Sequence, residues 1–329
     1  MIVEASAPHK VILTGEHAVV YGVPSIATSI NFKTYVLIEP SENETFSIYS
    51  DGLGKHWNRD DPIPEGFEFI SRILQIFQDY YLNRDLPSLS IELTSDVEPG
   101  CGLGTSASSA VAFTGGLAKA LGLDLDKEQI NTIAYEAEKV THATPSGIDN
   151  TVITYGGFLT FSPNREEKIT LLSNPPEVSW ILLDSGQESL TINAVEKVQE
   201  RYNQKEQMVK GIFKKIWKIS EDAWYELKGK RRYSKIGELM TKNHHLLQQL
   251  GVSNENLDRL VDVALEAGSL GAKMTGAGLG GYVIALPPQN KEELVAKRIK
   301  KKVGTGVTRV KTFPTGLQVK VLDESDGNE

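Results

Sequence analysis

Four stretches of this chain gather small residues around isolated charges, and each offers a chemistry. Residues 98–108 read Glu-Pro-Gly-Cys-Gly-Leu-Gly-Thr-Ser-Ala-Ser. Gly100, Gly102 and Gly104 let backbone N–H groups approach an anion closely and take positive φ. A helix opening behind them adds unpaired N–H donors and a partial positive charge. Thr105 and Ser106 bring hydroxyls suited to a phosphate or its metal ion. Lys10 lies beside the apolar run Val-Ile-Leu at 11–13, shortly before Gly-Glu-His at 15–17. Glu138 and Asp149 stand eleven residues apart, the second just past a Pro-Ser-Gly turn. Phosphoryl transfer from a nucleotide asks for two kinds of carboxylate, one to hold Mg²⁺ against the phosphates and one to orient or deprotonate the accepting hydroxyl. Residues 271–281 hold five glycines in eleven positions, leaving little to keep a ligand or a second domain away from the backbone.

Each stretch alone has a plainer reading: a turn, a surface charge, an isolated acid, a flexible hairpin. Two common phosphate fingerprints are excluded, because no Gly-x-x-x-x-Gly-Lys-Ser/Thr occurs and the glycine spacing fails Gly-x-Gly-x-x-Gly. Cys101 is the one cysteine, so no intrachain disulfide can form, and a small apolar filler suits its place in the glycine loop.

The elements that must position these groups can be outlined from periodicity and turn chemistry. Residues 1–14 read as two short strands around Pro8, followed by a turn and short helix over 15–22. Strand-like pieces follow at 25–29, 34–39 and 45–49, then a polar, turn-rich loop at 50–64. Apolar spacing predicts a helix over 67–82, and alternation predicts a strand over 89–94 leading into the glycine loop. Helices are expected over 105–121 and 127–140, with a change of chain direction at 143–150. A buried strand at 180–184 opens a more helical half, with helices over 192–218, 221–228, 235–250, 256–267 and 292–302. Short strands at 272–274, 282–285, 307–310 and 317–321 complete it, and 323–329 is expected to be a disordered tail. The basic runs at 228–232 and 297–302 read as solvated helix ends.

At 329 residues, 40% apolar and 24% charged, the chain is an ordinary globular protein with length for roughly two domains. A net charge of −8 argues against a general nucleic-acid binder. The first residues lack an apolar signal core and no run of 18 apolar residues occurs, so a cytoplasmic protein without a membrane partner is expected.

Together the four stretches resemble the GHMP family of small-molecule kinases. Pro-Gly-Cys-Gly-Leu-Gly-Thr-Ser-Ala at 99–107 is similar to that family's ATP loop, and Gly-Ala-Gly-Leu-Gly-Gly at 276–281 to its third motif. Residues 7–22 and 142–150 are most similar to the family's mevalonate kinases, and the matches run from 7 to 281 in the family's order. The resemblance implies an α+β, two-domain GHMP kinase fold, divided at 1–178 and 179–329. The N-terminal domain would carry a left-handed βαβ crossover, against the usual hand. The C-terminal domain would be ferredoxin-like, with ATP in the cleft between the two. The implied activity is ATP-dependent phosphorylation of the C5 hydroxyl of (R)-mevalonate to 5-phosphomevalonate, with a homodimer as the expected assembly.

Roles follow position by position. Asp149 matches the catalytic base, and Lys10 the lysine that lowers the hydroxyl's pKa and stabilises charge at the phosphoryl group. Pro99, Gly100, Cys101, Gly102, Leu103, Gly104, Thr105, Ser106 and Ala107 match the ATP loop, with Ser106 and Glu138 as Mg²⁺ ligands. Glu16 and His17 fall where mevalonate is contacted, together with Lys10 and Asp149, and Thr275 falls near the catalytic pair. Glycine is usual in the family where His9, Ala143 and Leu279 stand, and His9 is expected to crowd Lys10. Two other readings stay open: another GHMP kinase, such as one acting on phosphomevalonate, or a non-catalytic nucleotide sensor of the same fold.

Overall fold

A computed structural model describes residues 1–42, 45–82, 85–141, 145–164, 166–189, 191–304 and 306–322. The expected tail at 323–329 and the start of the 142–150 motif, with Ala143, lie outside the described residues. The chain opens with β1 (Ile2–Thr14), a 3₁₀ turn (Ala18–Tyr21), β2 (Ser25–Pro40), β3 (Ser47–Ser50) and β4 (Lys55–Asn58). There follow α1 (Glu68–Tyr80), β5 (Leu89–Ser95), α2 (Thr105–Ala120), α3 (Lys127–Thr141), α4 (Ile148–Tyr155), β6 (Phe158–Phe161) and β7 (Ile169–Leu171). The second half runs β8 (Ser179–Asp184), α5 (Thr191–Gln204), α6 (Glu206–Lys228), α7 (Tyr233–Leu250), α8 (Glu255–Glu266) and β9 (Gly271–Met274). It closes with β10 (Tyr282–Leu286), α9 (Glu292–Val303), β11 (Val307–Lys311) and β12 (Gln318–Leu322).

The first sheet has the order β12-β1-β2-β5-β3-β4, with β6 on β2 and β7 on β6. Only β3 and β5 pair in parallel, and the chain between them passes through β4 and α1, the crossover unit of this sheet. The second sheet is antiparallel in the order β11-β8-β10-β9. Counted along the chain, its strands stand 4-1-3-2, the order of a ferredoxin-like sheet. The last strand crosses back, and β12 pairs with β1 from Ile2↔Leu322 to Ser6↔Gln318.

The two short strands expected around Pro8 are one long strand. Pro8 has no N–H for the ladder, and the register with β2 jumps there, from Pro8↔Lys33 to His9↔Ile30. The jump also exchanges faces. Before it, Val3, Ala5 and Ala7 lie in a core shared with α1 to α4; after it, Ile12 lies there, while Val11 and Leu13 join a second core built mostly from residues after 172. Lys10 shares its face with Ile12, because side chains alternate along a strand. The bulge therefore aims Lys10 at α2 and α4.

Other differences are local. The polar stretch 50–64 contains a hairpin strand, β4. The expected helix break near 219–220 is absent: α6 runs through it, with Ile219 and Ser220 buried and the Ser220 hydroxyl donating to Thr14 Oγ1 at 2.9 Å. The break falls at Lys205 instead. Helix α4 and strands β6 and β7 go beyond the turn expected at 143–150.

Candidate active site

The site grows along one edge of β1. Beyond Ser6, β12 no longer covers that edge, and its backbone groups need other partners. The Lys10 N–H donates to Leu103 O of the glycine loop at 3.0 Å, and the Ile12 N–H donates to the Thr275 hydroxyl at 2.9 Å. The loop and the third glycine stretch thus dock on the same strand from the same side.

Lys10 is almost fully buried, and its ammonium donates to Gly102 O at 3.3 Å and lies 3.2 Å from Asp149 Oδ2. Gly104 must lack a side chain, because a Cβ there would sit 2.8 Å from Lys10 Cε. Asp149 stands in the first turn of α4, which opens at Gly147 with φ +80. Asn150, next along, donates to Asn131 O at 3.2 Å and to its Oδ1 at 2.7 Å, tying α4 to α3 and so Asp149 to the helix that carries Glu138.

In the loop, Gly100, Gly102 and Gly104 all have positive φ. Helix α2 starts at Thr105 with no side-chain cap and no acidic residue in its first turn, so its N-terminal N–H groups and dipole are open to an anion. The Thr105 hydroxyl stays within the loop, 3.5 Å from both Glu98 O and Cys101 Sγ. Ser106 is exposed and free to face a ligand, while Leu103 and Ala107 anchor the loop in the cores. The third stretch braces the loop by backbone: a Cβ on Gly276 would lie 2.9 Å from Gly102 O, and one on Gly281 3.0 Å from Cys101 O. Leu279 keeps a left-handed backbone, φ +59, the conformation that favours glycine.

Asp149 Oδ1 is buried without a hydrogen-bond partner. Burial first, and then the Asp149 charge, push the Glu138 carboxyl up to about 8, with Lys10 acting against them. Two carboxylates this close, one oxygen unsatisfied, fit a hard divalent cation that takes one or two protein oxygens and completes its shell elsewhere. Among the described residues no cluster of three or more His, Cys, Asp or Glu competes for a metal.

Glu16, Thr275 and His17, the residues expected around the acceptor, all have partners within the chain. The Glu16 carboxylate is buried, pairs with the Lys273 ammonium and accepts from Asn243 Nδ2 at 2.9 Å, so neither oxygen is open to a ligand. Burial satisfied by those partners is the reason. Thr275 spends its hydroxyl on Ile12. His17 Nε2 lies 2.7 Å from Ala277 O, and burial holds its pKa below the usual 6.5. His9 does not crowd Lys10. Its ring points to the opposite face, where Nε2 lies 3.3 Å from the Thr34 and Ser95 hydroxyls.

Sequence reasoning missed Lys273, Asn243 and residues 185–189. Ser189 N–H donates to Gly100 O at 3.3 Å and Gly281 N–H to Gln187 O at 2.7 Å, so this segment holds the loop and the third stretch together. Its composition, Ser-Gly-Gln-Glu-Ser, reads as an ordinary turn.

Comparison with known proteins bears on what this arrangement belongs to. The profile of the GHMP kinases N terminal domain matches residues 68–157, and that of the GHMP kinases C terminal domain matches 225–305. A mevalonate kinase from Pyrococcus abyssi is 34% identical, covering 98% of this chain and 99% of its own. This chain belongs to the mevalonate kinase family of GHMP kinases. The crystal structure of the Methanococcus jannaschii mevalonate kinase superposes with a TM-score of 0.81 at 28% identity, over 95% of this chain and 98% of that one. That of L. major mevalonate kinase in complex with R-mevalonate gives 0.78 at 26%, over 94% and 96%. In this chain the glycine loop, the third glycine stretch, Lys10 and Asp149 come together along β1.

Proposed function

We propose that this chain transfers the γ-phosphoryl group of ATP to the C5 hydroxyl of (R)-mevalonate, giving 5-phosphomevalonate. The observation that carries the reading is the Lys10–Asp149 contact of 3.2 Å beside the open N-terminus of α2, in a chain that matches mevalonate kinases along nearly its whole length. The loop from Pro99 to Ala107 receives the ATP phosphates on backbone N–H groups. Asp149 takes the proton of the C5 hydroxyl, and Lys10 stabilises negative charge on that oxygen and on the phosphoryl group as it moves. Ser106 and Glu138 would hold Mg²⁺, which would supply charge neutralisation at the phosphates. His17 stands at the acceptor end, with Glu16 and Thr275 behind it. From the family resemblance we add a homodimer in the cytoplasm, to be checked by light scattering and cell fractionation.

The test is ADP release by the purified protein with ATP and Mg²⁺ across a panel of acceptors. Mevalonate is expected to give turnover, with phosphomevalonate, galactose and homoserine far behind. Preference for another acceptor would replace the substrate, and ATP binding without turnover on any of them would turn the reading to a sensor.

A further inference from the structure

Alternate residues of one short stretch of the second half reach β1 and the turn that follows it. The Lys273 ammonium donates to Ile12 O at 3.3 Å, the Thr275 hydroxyl accepts from the Ile12 N–H at 2.9 Å, and Ala277 O faces His17 Nε2 at 2.7 Å. Residues 273, 275 and 277 thus present one side to the strand and turn that carry Lys10 and His17.

Lys273 is the charged member of that set, and it has no solvent exposure. Its three donors are matched by the Glu16 carboxylate and by the carbonyls of Ile12 and Met274. Glu16 in turn has Lys273 on one oxygen and Asn243 Nδ2 on the other. The ammonium and the carboxylate are thus matched within the chain, while Asn243 Oδ1 is buried without a hydrogen-bond partner. An ion pair is a costly way to fill a buried contact, since apolar side chains of equal volume hold such a site as well or better. What the charged cluster adds is direction: Lys273 fixes Glu16, and Glu16 adjoins His17, whose backbone is left-handed at φ +59. A carbonyl can only accept, so the neutral His17 ring donates from Nε2 to Ala277 O and keeps Nδ1 as an acceptor.

We propose that Lys273 is a positioning residue for the phosphoryl acceptor, holding the 15–17 turn through Glu16 and Asn243 so that His17 meets the acceptor in one orientation and one tautomer. Glu16 then acts through His17 and not by touching the acceptor. This inference rests on the reading of the site as an acceptor kinase.

The deciding variant is Lys273→Met with Glu16→Gln, which removes both charges together and nearly keeps the volumes. Asn243→Leu is a second route, freeing one Glu16 oxygen without stranding a charge. Thermal melting first establishes that each is folded. Steady-state kinetics should then show KM for mevalonate raised about tenfold or more with KM for ATP within about twofold of wild type, as loss of acceptor orientation requires. Imidazole ¹⁵N–¹H spectra should show His17 as a single Nε2–H tautomer in wild type and as a mixture in the variants. Folded variants with unchanged acceptor KM and an unchanged His17 spectrum would reduce the cluster to a structural pair. If wild type prefers another acceptor, the mevalonate reading fails while the same KM ratio, taken with that acceptor, still decides on Lys273. If wild type turns over nothing, the His17 spectra decide alone.

Discussion

Lys10 and Asp149 lie far apart in the chain, and their charged groups stand 3.2 Å from each other. Asp149 is partly exposed and makes no hydrogen bond through Oδ1, so Asp149→Asn should keep the fold. General-base assistance is worth about 10²–10⁴-fold, and turnover should fall by that factor, as single-turnover kinetics would measure. A second residue-scale expectation concerns His9. Burial pulls its pKa down from 6.5 to about 3, the Lys10 charge adding to the effect. Above pH 6.5 the ring is neutral folded or unfolded. As pH falls toward 3, the unfolded chain takes up a proton that the folded protein refuses, so stability drops by about 1.4 kcal/mol per pH unit. Between pH 6.5 and 5, His9→Gln should therefore lose about 2 kcal/mol less than wild type in urea titrations. His244, pulled down to about 4 by burial and the Lys273 charge, leaves a residual slope in both proteins. Lys10, Asp149 and the loop glycines stand out by type and spacing, and their expected roles come from the family resemblance. Lys273 does not stand out, because a lysine in a short strand reads as surface, and its partner Glu16 lies 257 residues away.

At the scale of elements, glycines decide how closely motifs approach. Gly104→Ala places a methyl carbon 2.8 Å from Lys10 Cε at a φ of +82, so both the lysine and the backbone must shift. Turnover is expected to fall more than stability, and comparing kcat with a thermal melt would show it. Lys273→Met alone, by contrast, leaves the buried Glu16 carboxylate without its cation and should cost about 3–5 kcal/mol in urea unfolding. A loss below about 1 kcal/mol would mean that the pair is not buried as described. The helices and most strands were readable from periodicity. The bulge at Pro8 was read as a gap between strands, because sequence shows the missing N–H but not that β2 slips to absorb it. Helix α4 is only eight residues long and opens on a glycine, so its first turn resembles a loop even though it carries Asp149.

At the scale of the whole molecule, the two halves of the chain meet along the stretch of β1 that β12 leaves uncovered. The first half of the chain supplies Lys10, the glycine loop and both carboxylates; the second half braces the loop and β1 through residues 185–189 and 273–281. The return of β12 to β1 could not be read from sequence, since nothing local marks a strand whose partner lies at the other end of the chain. The ferredoxin-like order of the second sheet was likewise reached through resemblance and then found in the strand pairing. The proposed function draws on both halves at once: phosphorylation of one hydroxyl, with Asp149 proposed as the base. The most direct measurement is ³¹P and ¹³C NMR of the product formed from ATP, Mg²⁺ and (R)-mevalonate by wild type and by Asp149→Asn. Phosphate on C5 with wild type, and almost none over the same time with the variant, is the predicted result. Phosphate on another carbon, or an Asp149→Asn protein that works at the wild-type rate, would contradict the account.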